Sequence, residues 1–244
     1  MIVLAIDTAT LTASCAVVRI PDSPGGAAEV LAVEDAATST HSEKILPLVA
    51  RVAAAAGVEV GAVDAFALGA GPGSFTGLRI GMATAKGLAF AAGKPLWLVS
   101  SLAALAFDLT AAAEAALYVP VLDARRGELY AGFYRRGGAG VVAVAVERVM
   151  PPAELAAAIA ATGAGGAAIG GDALEVHRDA LANLPPDVIA LATARTTPSA
   201  IAVAHLAADG DRHDALAHGA PVYIRPSEAE VKYPDGVPGA LRRR

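Results

Sequence analysis

Cysteine is almost missing from this sequence, which holds one residue, Cys15, in a chain of 244. A single cysteine excludes an intrachain disulfide and a zinc site built on cysteine thiolates. Charged residues are also scarce, at 18%, yet no uninterrupted apolar run reaches the ~18–20 residues that a membrane-spanning helix needs. The N-terminal stretch lacks the basic residues that precede the apolar part of a signal peptide. We therefore expect a reduced, cytoplasmic protein without membrane contact.

Positive charge is in short supply as well. The formal net charge is −5, and the basic cluster that stands out is Arg242-Arg243-Arg244 at the C-terminus. A protein that binds nucleic acid by itself usually carries a basic surface, so we expect most RNA contacts, if RNA is involved, to come from a partner. The five histidines form no H-x-x-x-H or H-E-x-x-H pair, which argues against a metal site.

Apolar residues make up 55% of the chain, which excludes general disorder and allows a large buried core. Their periodicity predicts the order β-β-β-α-β-α twice, and an aspartate, Asp7 or Asp123, ends the first strand of each copy. The first half has predicted strands at 2–7, 14–20, 29–33, 63–68 and 95–99, and helices at 43–56, 76–92 and 101–113. The second half has predicted strands at 117–123, 128–134, 141–147, 167–169 and 188–191, and helices at 153–161, 172–183 and 198–209.

This order of elements is typical of the ribonuclease H-like (actin-like ATPase) architecture. We predict an α/β protein of two tandem lobes, each with a mixed sheet, and a cleft between them. The N-terminal lobe covers residues 1–105, the C-terminal lobe covers 106–225, and residues 226–244 form an extended tail. Helix 198–209 is expected to pack back on the first lobe.

A glycine-rich loop at residues 69–79 lies between a predicted strand and a predicted helix. Its glycines permit positive φ and close backbone approach, and a helix N-terminus after such a loop can hold an anion. The loop is not of the G-x-x-x-x-G-K-S/T type, and Thr76 stands at the last glycine position of G-x-G-x-x-G. A tight strand-to-helix turn and an anion site are both open interpretations at this point.

The helix after this loop has a small residue at every fourth position: Gly77, Gly81, Ala85 and Ala89. Interior glycines cost about 1 kcal/mol each relative to alanine, so the close approach of another element should compensate. The rest of the helix is also largely apolar, which is typical of a helix buried on more than one side. The stripe can pack within this chain or against another subunit, and we predict the second.

Four motifs together resemble the TsaB (YeaZ) family, the bacterial subunit of the tRNA threonylcarbamoyladenosine biosynthesis machinery. They are HSEKILP at 41–47, GPGSFTGLRIGMATAKGLA at 71–89, VSSL at 99–102 and DARRGELY at 123–130. The resemblance runs from residue 1 to about 130 and continues more loosely to PVYIR at 221–225. The combination is specific, although no single motif is. The family belongs to the actin-like ATPase superfamily, which agrees with the order of elements.

The resemblance implies a non-catalytic scaffold subunit. Such a subunit binds and activates the paralogous catalytic subunit TsaD, works with the ATPase TsaE, and meets tRNA through the complex. The complex transfers a threonylcarbamoyl group to the adenosine next to the anticodon of tRNAs reading codons that begin with A. Ser101 and Leu105 stand where TsaD has its H-x-x-x-H metal pair. We therefore expect no catalytic residue, no metal and no tightly bound cofactor in this chain, and no activity of the chain by itself.

The resemblance also implies that the helices at 43–56 and 76–92 pack against the equivalent helices of TsaD, or against a second copy when TsaD is absent. The predicted interface residues are Leu48, Val52, Gly77, Leu78, Gly81, Met82, Ala85, Leu88 and Ala89. We expect Gly81→Leu to weaken the heterodimer and to leave the monomer folded.

The alternative is an independent nucleotide-binding actin-like enzyme of the kinase or ATPase type, with a substrate in the inter-lobe cleft. The segments DTAT at 7–10 and IGGD at 169–172 resemble the first phosphate loop and the adenosine loop of that fold. Arg125, however, replaces the glycine expected in the second phosphate loop. We predict at most a degenerate site that takes ATP or ADP at a subunit interface. Its residues would be Asp7, Thr8, Thr10, Gly170 and Gly171.

Two further enzyme classes in this superfamily fit poorly. A metallopeptidase lacks its metal ligands here. A ribonuclease H-type nuclease needs clustered carboxylates for two metal ions, and the strand that follows Asp7 in the core ends on Gly69-Ala70-Gly71, without an acid.

Overall fold

The computed structural model describes residues 1–21, 28–37, 41–138, 140–191 and 195–225. The predicted tail at 226–244 lies outside these ranges. The first half of the chain forms β1 (Ile2–Asp7), β2 (Thr12–Arg19), β3 (Glu29–Ala37), α1 (His41–Ala55), β4 (Ala65–Gly69), α2 (Phe75–Ala92), β5 (Leu96–Val99) and α3 (Ser101–Ala112). The second half forms β6 (Leu117–Arg125), β7 (Glu128–Gly137), β8 (Gly140–Met150), α4 (Leu155–Ala160), β9 (Ala167–Gly170), α5 (Ala173–Val176), β10 (Val188–Ala190) and α6 (Ala200–Asp209). None of the helices in these ranges is long and apolar enough to cross a bilayer.

Each half builds a five-stranded mixed sheet, and the two sheets have the same topology. The strand orders are β3-β2-β1-β4-β5 and β8-β7-β6-β9-β10. In each sheet the first three strands form an antiparallel meander, and the remaining two run parallel to the first. The predicted fold class, an α/β protein of two tandem lobes with the order β-β-β-α-β-α, is confirmed.

The helix predicted at 172–183 is the largest error in the element boundaries. Helix α5 ends at Val176, because His177 leaves the helical conformation with φ −113° and ψ 29°. The His177 ring nitrogen Nε2 lies 3.1 Å from the backbone carbonyl oxygen of Glu128 on β7. This contact joins residues far apart in the sequence, so local periodicity gives no sign of it.

Helices cover both faces of each sheet. Helices α1 and α2 pack on the outer face of the first sheet, and α4 and α5 pack on the outer face of the second. Between the two sheets lie α6, on the first sheet, and α3, on the second. Helix α3 therefore follows the first-lobe strands but covers the second sheet, and α6 comes from the second half but covers the first. The boundary predicted at residue 105 falls inside α3.

Candidate functional site

The glycine-rich loop before α2 packs tightly against the turn that follows β1. Ser74 N donates to the Ala9 carbonyl oxygen at 2.7 Å, and Ser74 Oγ accepts from Gly77 N at 3.3 Å as the N-cap of α2. A Cβ at Gly73 would lie 2.3 Å from the Ala9 carbonyl oxygen, and one at Gly77 would lie 2.1 Å from the Thr8 carbonyl oxygen. These glycines are needed for close backbone approach, which favours the interpretation as a tight turn.

The small-residue stripe of α2 faces the core of its own lobe, which corrects the predicted partner interface. A Cβ at Gly81 would lie 2.2 Å from Thr8 Oγ1 and 3.3 Å from Leu68 Cδ1. Leu88 is partly buried against this core, and the other predicted interface residues are buried within the monomer: Leu48, Val52, Gly77, Leu78, Gly81, Met82, Ala85 and Ala89. Their side chains hold α1 and α2 on the first sheet, so Gly81→Leu would disrupt the monomer itself.

The outward side of the same two helices exposes two large apolar side chains. Phe90 on α2 is 78% exposed and Leu46 on α1 is 54% exposed. Small residues are exposed as well, namely Pro47, Ala50 and Ala54 on α1 and Ala83, Gly87 and Ala91 on α2, beside charged residues such as Lys44 and Arg51. We call this surface the α1–α2 outer face. An exposed apolar patch of this kind often marks an interaction site.

Asp7, at the end of β1, is fully buried and organises the start of the loop region. Its Oδ1 accepts from Ala9 N at 2.8 Å, and its Oδ2 accepts from Ser101 Oγ at 2.7 Å. Burial raises the pKa of the Asp7 carboxyl from 3.8 to about 7. Ser101 Oγ also accepts from Gly71 N at 3.2 Å, and Leu105 is fully buried. Ser101 and Leu105, which the resemblance places at metal-ligand positions, are both part of the packed interior here.

Asp123, two residues before the end of β6, has the equivalent role in the second lobe. Its Oδ1 accepts from Arg125 N at 2.9 Å, the same two-residue side-chain turn that Asp7 makes with Ala9. Asp123 N donates to Asp172 Oδ1 at 2.8 Å, and burial raises the pKa of Asp172 from 3.8 to about 6. His177 Nε2 lies 3.5 Å from Asp123 Oδ1. Both aspartates, Asp7 and Asp123, therefore fix turns.

A cleft of about 1470 Å³ opens between the lobes. Of the predicted nucleotide site, Thr10 and Gly171 line this cleft. Asp7 and Thr8 are buried at 1% and 0% exposure, and a Cβ at Gly170 would lie 2.3 Å from Leu109 Cδ2. The structure therefore does not bring the five predicted residues together in the cleft, because three of them pack inside the lobes.

The segment at 221–225, which we call the strap, joins the two walls of the cleft. On the first lobe, Val222 N donates to the Ala70 carbonyl oxygen at 2.7 Å, and the Tyr223 ring lies 4.8 Å from the Phe75 ring, centroid to centroid. On the second lobe, Arg225 Nη1 donates to the Ala124 carbonyl oxygen at 2.6 Å. In the sequence this segment is a loose motif without a role.

No group of three or more His, Cys, Asp or Glu side chains that could hold a metal ion occurs in the part of the chain that the structure describes. Arginine, aromatic, hydroxyl and carboxylate side chains line the cleft.

Comparison with known proteins gives a consistent relationship. The model of the TsaD family, tRNA N6-adenosine threonylcarbamoyltransferase, matches residues 33–231. The chain is 38% identical over 127 residues to the tRNA threonylcarbamoyladenosine biosynthesis protein TsaB of Haemophilus influenzae, covering 52% of this chain and 51% of that protein. It is 37% identical over 141 residues to the protein of the same name from Escherichia coli, covering 58% of each. The chain thus spans about half the length of these curated relatives.

Two solved structures from Pseudomonas aeruginosa match both lobes. One is described as an uncharacterized protein with similarity to peptidase YEAZ, and it has a TM-score of 0.74 and 31% identity over 92% of this chain and 99% of that chain. The other is YeaZ, with a TM-score of 0.75 and 29% identity over 91% and 99%. Together with the family model and the motifs at 41–47, 71–89 and 123–130, these matches show that the chain belongs to the TsaB (YeaZ) family of the actin-like ATPase superfamily.

Proposed function

We propose that this chain is a non-catalytic subunit of tRNA threonylcarbamoyladenosine biosynthesis, and that it binds and activates TsaD. Its curated relatives carry that biosynthesis in their names. The observation that carries the proposal is the α1–α2 outer face. Two adjacent helices with packed inner sides expose the large apolar side chains of Leu46 and Phe90 on their outer side.

The outer face suits contact with another pair of helices. Exposed small residues, such as Ala50, Ala83 and Gly87, let a second helix approach closely, and Phe90 provides an aromatic anchor of the kind that dominates protein interfaces. In this proposal the partner is TsaD. The TsaD family model matches most of this chain, which supports the expectation that TsaD has equivalent helices. A second copy of this chain would use the same face when TsaD is absent.

The environment of Ser101 and Leu105 supports a subunit without catalysis of its own. The Ser101 hydroxyl donates to buried Asp7, and Leu105, which has no donor atom for a metal, lies in the core. In this proposal the chain works in the cytoplasm, TsaE docks on the heterodimer, tRNA binds through the complex, and ATP or ADP binds at a subunit interface.

The test is threonylcarbamoyl transfer to unmodified tRNA in a reconstituted reaction. TsaD, TsaE, ATP and the adenylate-forming enzyme are held fixed, and this chain is added, omitted or replaced by Phe90→Glu. A buried glutamate in an apolar interface is costly, so we expect Phe90→Glu to weaken binding to TsaD by about tenfold or more and to reduce transfer at limiting concentration.

The matched control is Val146→Glu, because Val146 on β8 is 84% exposed and lies in the other lobe. It should bind TsaD and support transfer as the unmodified chain does. Equal loss in both variants would point to a general effect of added charge and contradict the assigned surface. Full transfer without the chain would remove the proposed function and favour the nucleotide-dependent enzyme.

A further inference from the structure

We propose that the inter-lobe cleft of this chain binds a single-stranded RNA segment, with the arginines of the β6–β7 hairpin on its phosphates and Tyr223 stacked on a base. The inference rests on the proposed function, which makes RNA the substrate of the complex. It goes further in giving this chain its own RNA contact, where the overall acidity of the sequence predicted that a partner would supply most of them.

The first argument is the local charge of the cleft. Five arginines line it: Arg79, Arg125, Arg126, Arg178 and Arg225. Three acidic residues line it as well: Asp123, Asp172 and Glu175. By count of lining side chains the cleft is more positive than negative, in a chain whose formal net charge is −5, and three of its arginines are held in place by carboxylates: Arg125 by Asp123, Arg178 by Glu175 and Arg225 by Glu128. Arginine is the usual partner of phosphate groups, since its guanidinium can donate two parallel hydrogen bonds.

The second argument is the conformation of the hairpin that carries two of these arginines. Arg125 and Arg126 have φ of 63° and 56°, and Gly127 follows with φ of 78°. A short hairpin turn needs positive φ at its central residues, and Asn-Gly is the usual choice there. Arginine rarely adopts positive backbone φ. Residues in rare backbone conformations are often functional. The Arg125 side chain is 68% exposed, lines the cleft and keeps one nitrogen, Nη1, 3.3 Å from Asp123 Oδ2.

The third argument is a fixed aromatic platform on the opposite wall. The Phe75 ring contacts both the Arg79 guanidinium, 3.8 Å from its centroid, and the Tyr223 ring, 4.8 Å away centroid to centroid. Arg79 Nε donates to the Tyr223 hydroxyl at 3.1 Å, which holds the ring in place. Tyr223 is 42% exposed and lines the cleft. Aromatic rings combined with a basic groove are the usual elements of single-strand binding.

The size of the cleft favours a strand over a single nucleotide. Its volume of about 1470 Å³ exceeds the roughly 300–1,000 Å³ of typical small-molecule pockets. Of the predicted phosphate loop, Asp7 and Thr8 are buried away from the cleft and Thr10 lines it. The groups that do reach the cleft are spread over both walls, as the contacts to an extended ligand require.

The test measures the binding of a fluorescently labelled anticodon stem-loop RNA to the full chain by anisotropy, at several salt concentrations. Arg125→Asn/Arg126→Asn removes two charges, and asparagine tolerates the left-handed conformation that both positions have. We expect the affinity to fall about tenfold. The slope of log affinity against log salt should become shallower by about 1.4, because each phosphate contact on single strands contributes about 0.7.

The matched control is Arg19→Gln/Arg148→Gln, which removes two charges outside the cleft. Arg19 pairs with Glu29 on the first sheet, and Arg148 lies over Phe133 on the second. This variant should bind RNA as the unmodified chain does. A second pair isolates stacking: Tyr223→Leu should weaken binding by about tenfold with an unchanged salt slope, and Tyr223→Phe should retain it.

Three results would overturn the inference: no RNA binding by the unmodified chain, equal losses in the cleft and control variants, or displacement of the RNA by ADP or ATP at concentrations that mark a nucleotide pocket. The proposed function is judged separately by the transfer reaction. If transfer still requires this chain while the arginine and tyrosine variants bind RNA normally, the subunit role stands and the cleft assignment falls.

Discussion

Two glycines of α2, Gly81 and Gly87, have opposite surroundings and give a direct test of the packing of this helix. A Cβ at Gly81 would lie 2.2 Å from Thr8 Oγ1, and that oxygen donates to the Gly77 carbonyl at 2.9 Å. Gly81→Ala should therefore lower the free energy of unfolding by roughly 1–3 kcal/mol through overpacking. A Cβ at Gly87 would have no neighbouring atom within 4 Å. Gly87→Ala should therefore raise the free energy of unfolding by about 1 kcal/mol.

Urea denaturation of both variants beside the unmodified chain measures these changes. The two substitutions add the same methyl group to the same helix, so helix propensity alone would move both in the stabilising direction. If Gly81→Ala were also stabilising, the stripe would not be in contact with Thr8, and a partner interface along it would again be the better interpretation.

Asp7 makes the stability of the protein depend on pH. Burial raises the pKa of its carboxyl from 3.8 to about 7. Below the lower value the group is protonated in both states. As the pH rises, the unfolded chain loses this proton first, so the free energy of unfolding falls until the folded carboxyl ionises near pH 7. Asp108 and Asp172, whose pKa values burial raises to about 6, act in the same direction.

Asp7→Asn should flatten this dependence, because the amide stays neutral at every pH. A difference of one bound proton between the folded and unfolded states changes the free energy of unfolding by about 1.4 kcal/mol per pH unit. Between pH 4 and 7 the free energy of unfolding of the variant should therefore fall less steeply with pH, by up to this amount per unit. Urea midpoints at pH 5, 6, 7 and 8 measure the effect. Asp179→Asn, at an exposed position, is the control that should keep the original slope. Equal slopes in all three proteins would contradict the assignment to Asp7.

At the scale of elements, local periodicity is sufficient for most of the fold. The repeated order of strands and helices and the aspartates at the end of β1 and near the end of β6 follow from the sequence, because apolar alternation and turn residues are local signals. The end of α5 does not follow from it, because that end depends on a contact between His177 and Glu128, 49 residues apart.

The sequence pattern does not predict which way the small-residue stripe of α2 faces, and the physical reason is different. A helix that is apolar on nearly all sides shows that it is buried but not which neighbour covers each side. Gly81 and Ala85 face the first sheet, whereas Phe90 faces outward, and the sequence pattern of the helix does not separate them. The pairing of Phe75 with Tyr223 in the cleft joins distant parts of the chain and has no local signal either.

The exchange of α3 and α6 is the element-scale feature that ties the lobes together. Leu102, Leu105 and Leu109 of α3 pack on the second sheet, and Ala104 of the same helix packs toward α6 and the first sheet. Helix α6 is rich in buried alanine, which makes it thin enough to lie between the first sheet and α3. The inner face of the first sheet is covered by α6, from the second half of the chain. The inner face of the second sheet is covered by α3, from the first half.

At the scale of the whole molecule, this arrangement predicts that the two lobes unfold together. Loss of α6 would uncover Val3, Val18 and Ala65 of the first sheet, and loss of α3 would uncover Tyr118 and Leu122 of the second. Differential scanning calorimetry should therefore give one transition with equal calorimetric and van't Hoff enthalpies. As a control for coupling, Val203→Ala in α6 should lower the midpoint of that single transition without dividing it. Two resolved transitions, with the variant shifting one of them, would mean that each lobe is stable without the helix supplied by the other half.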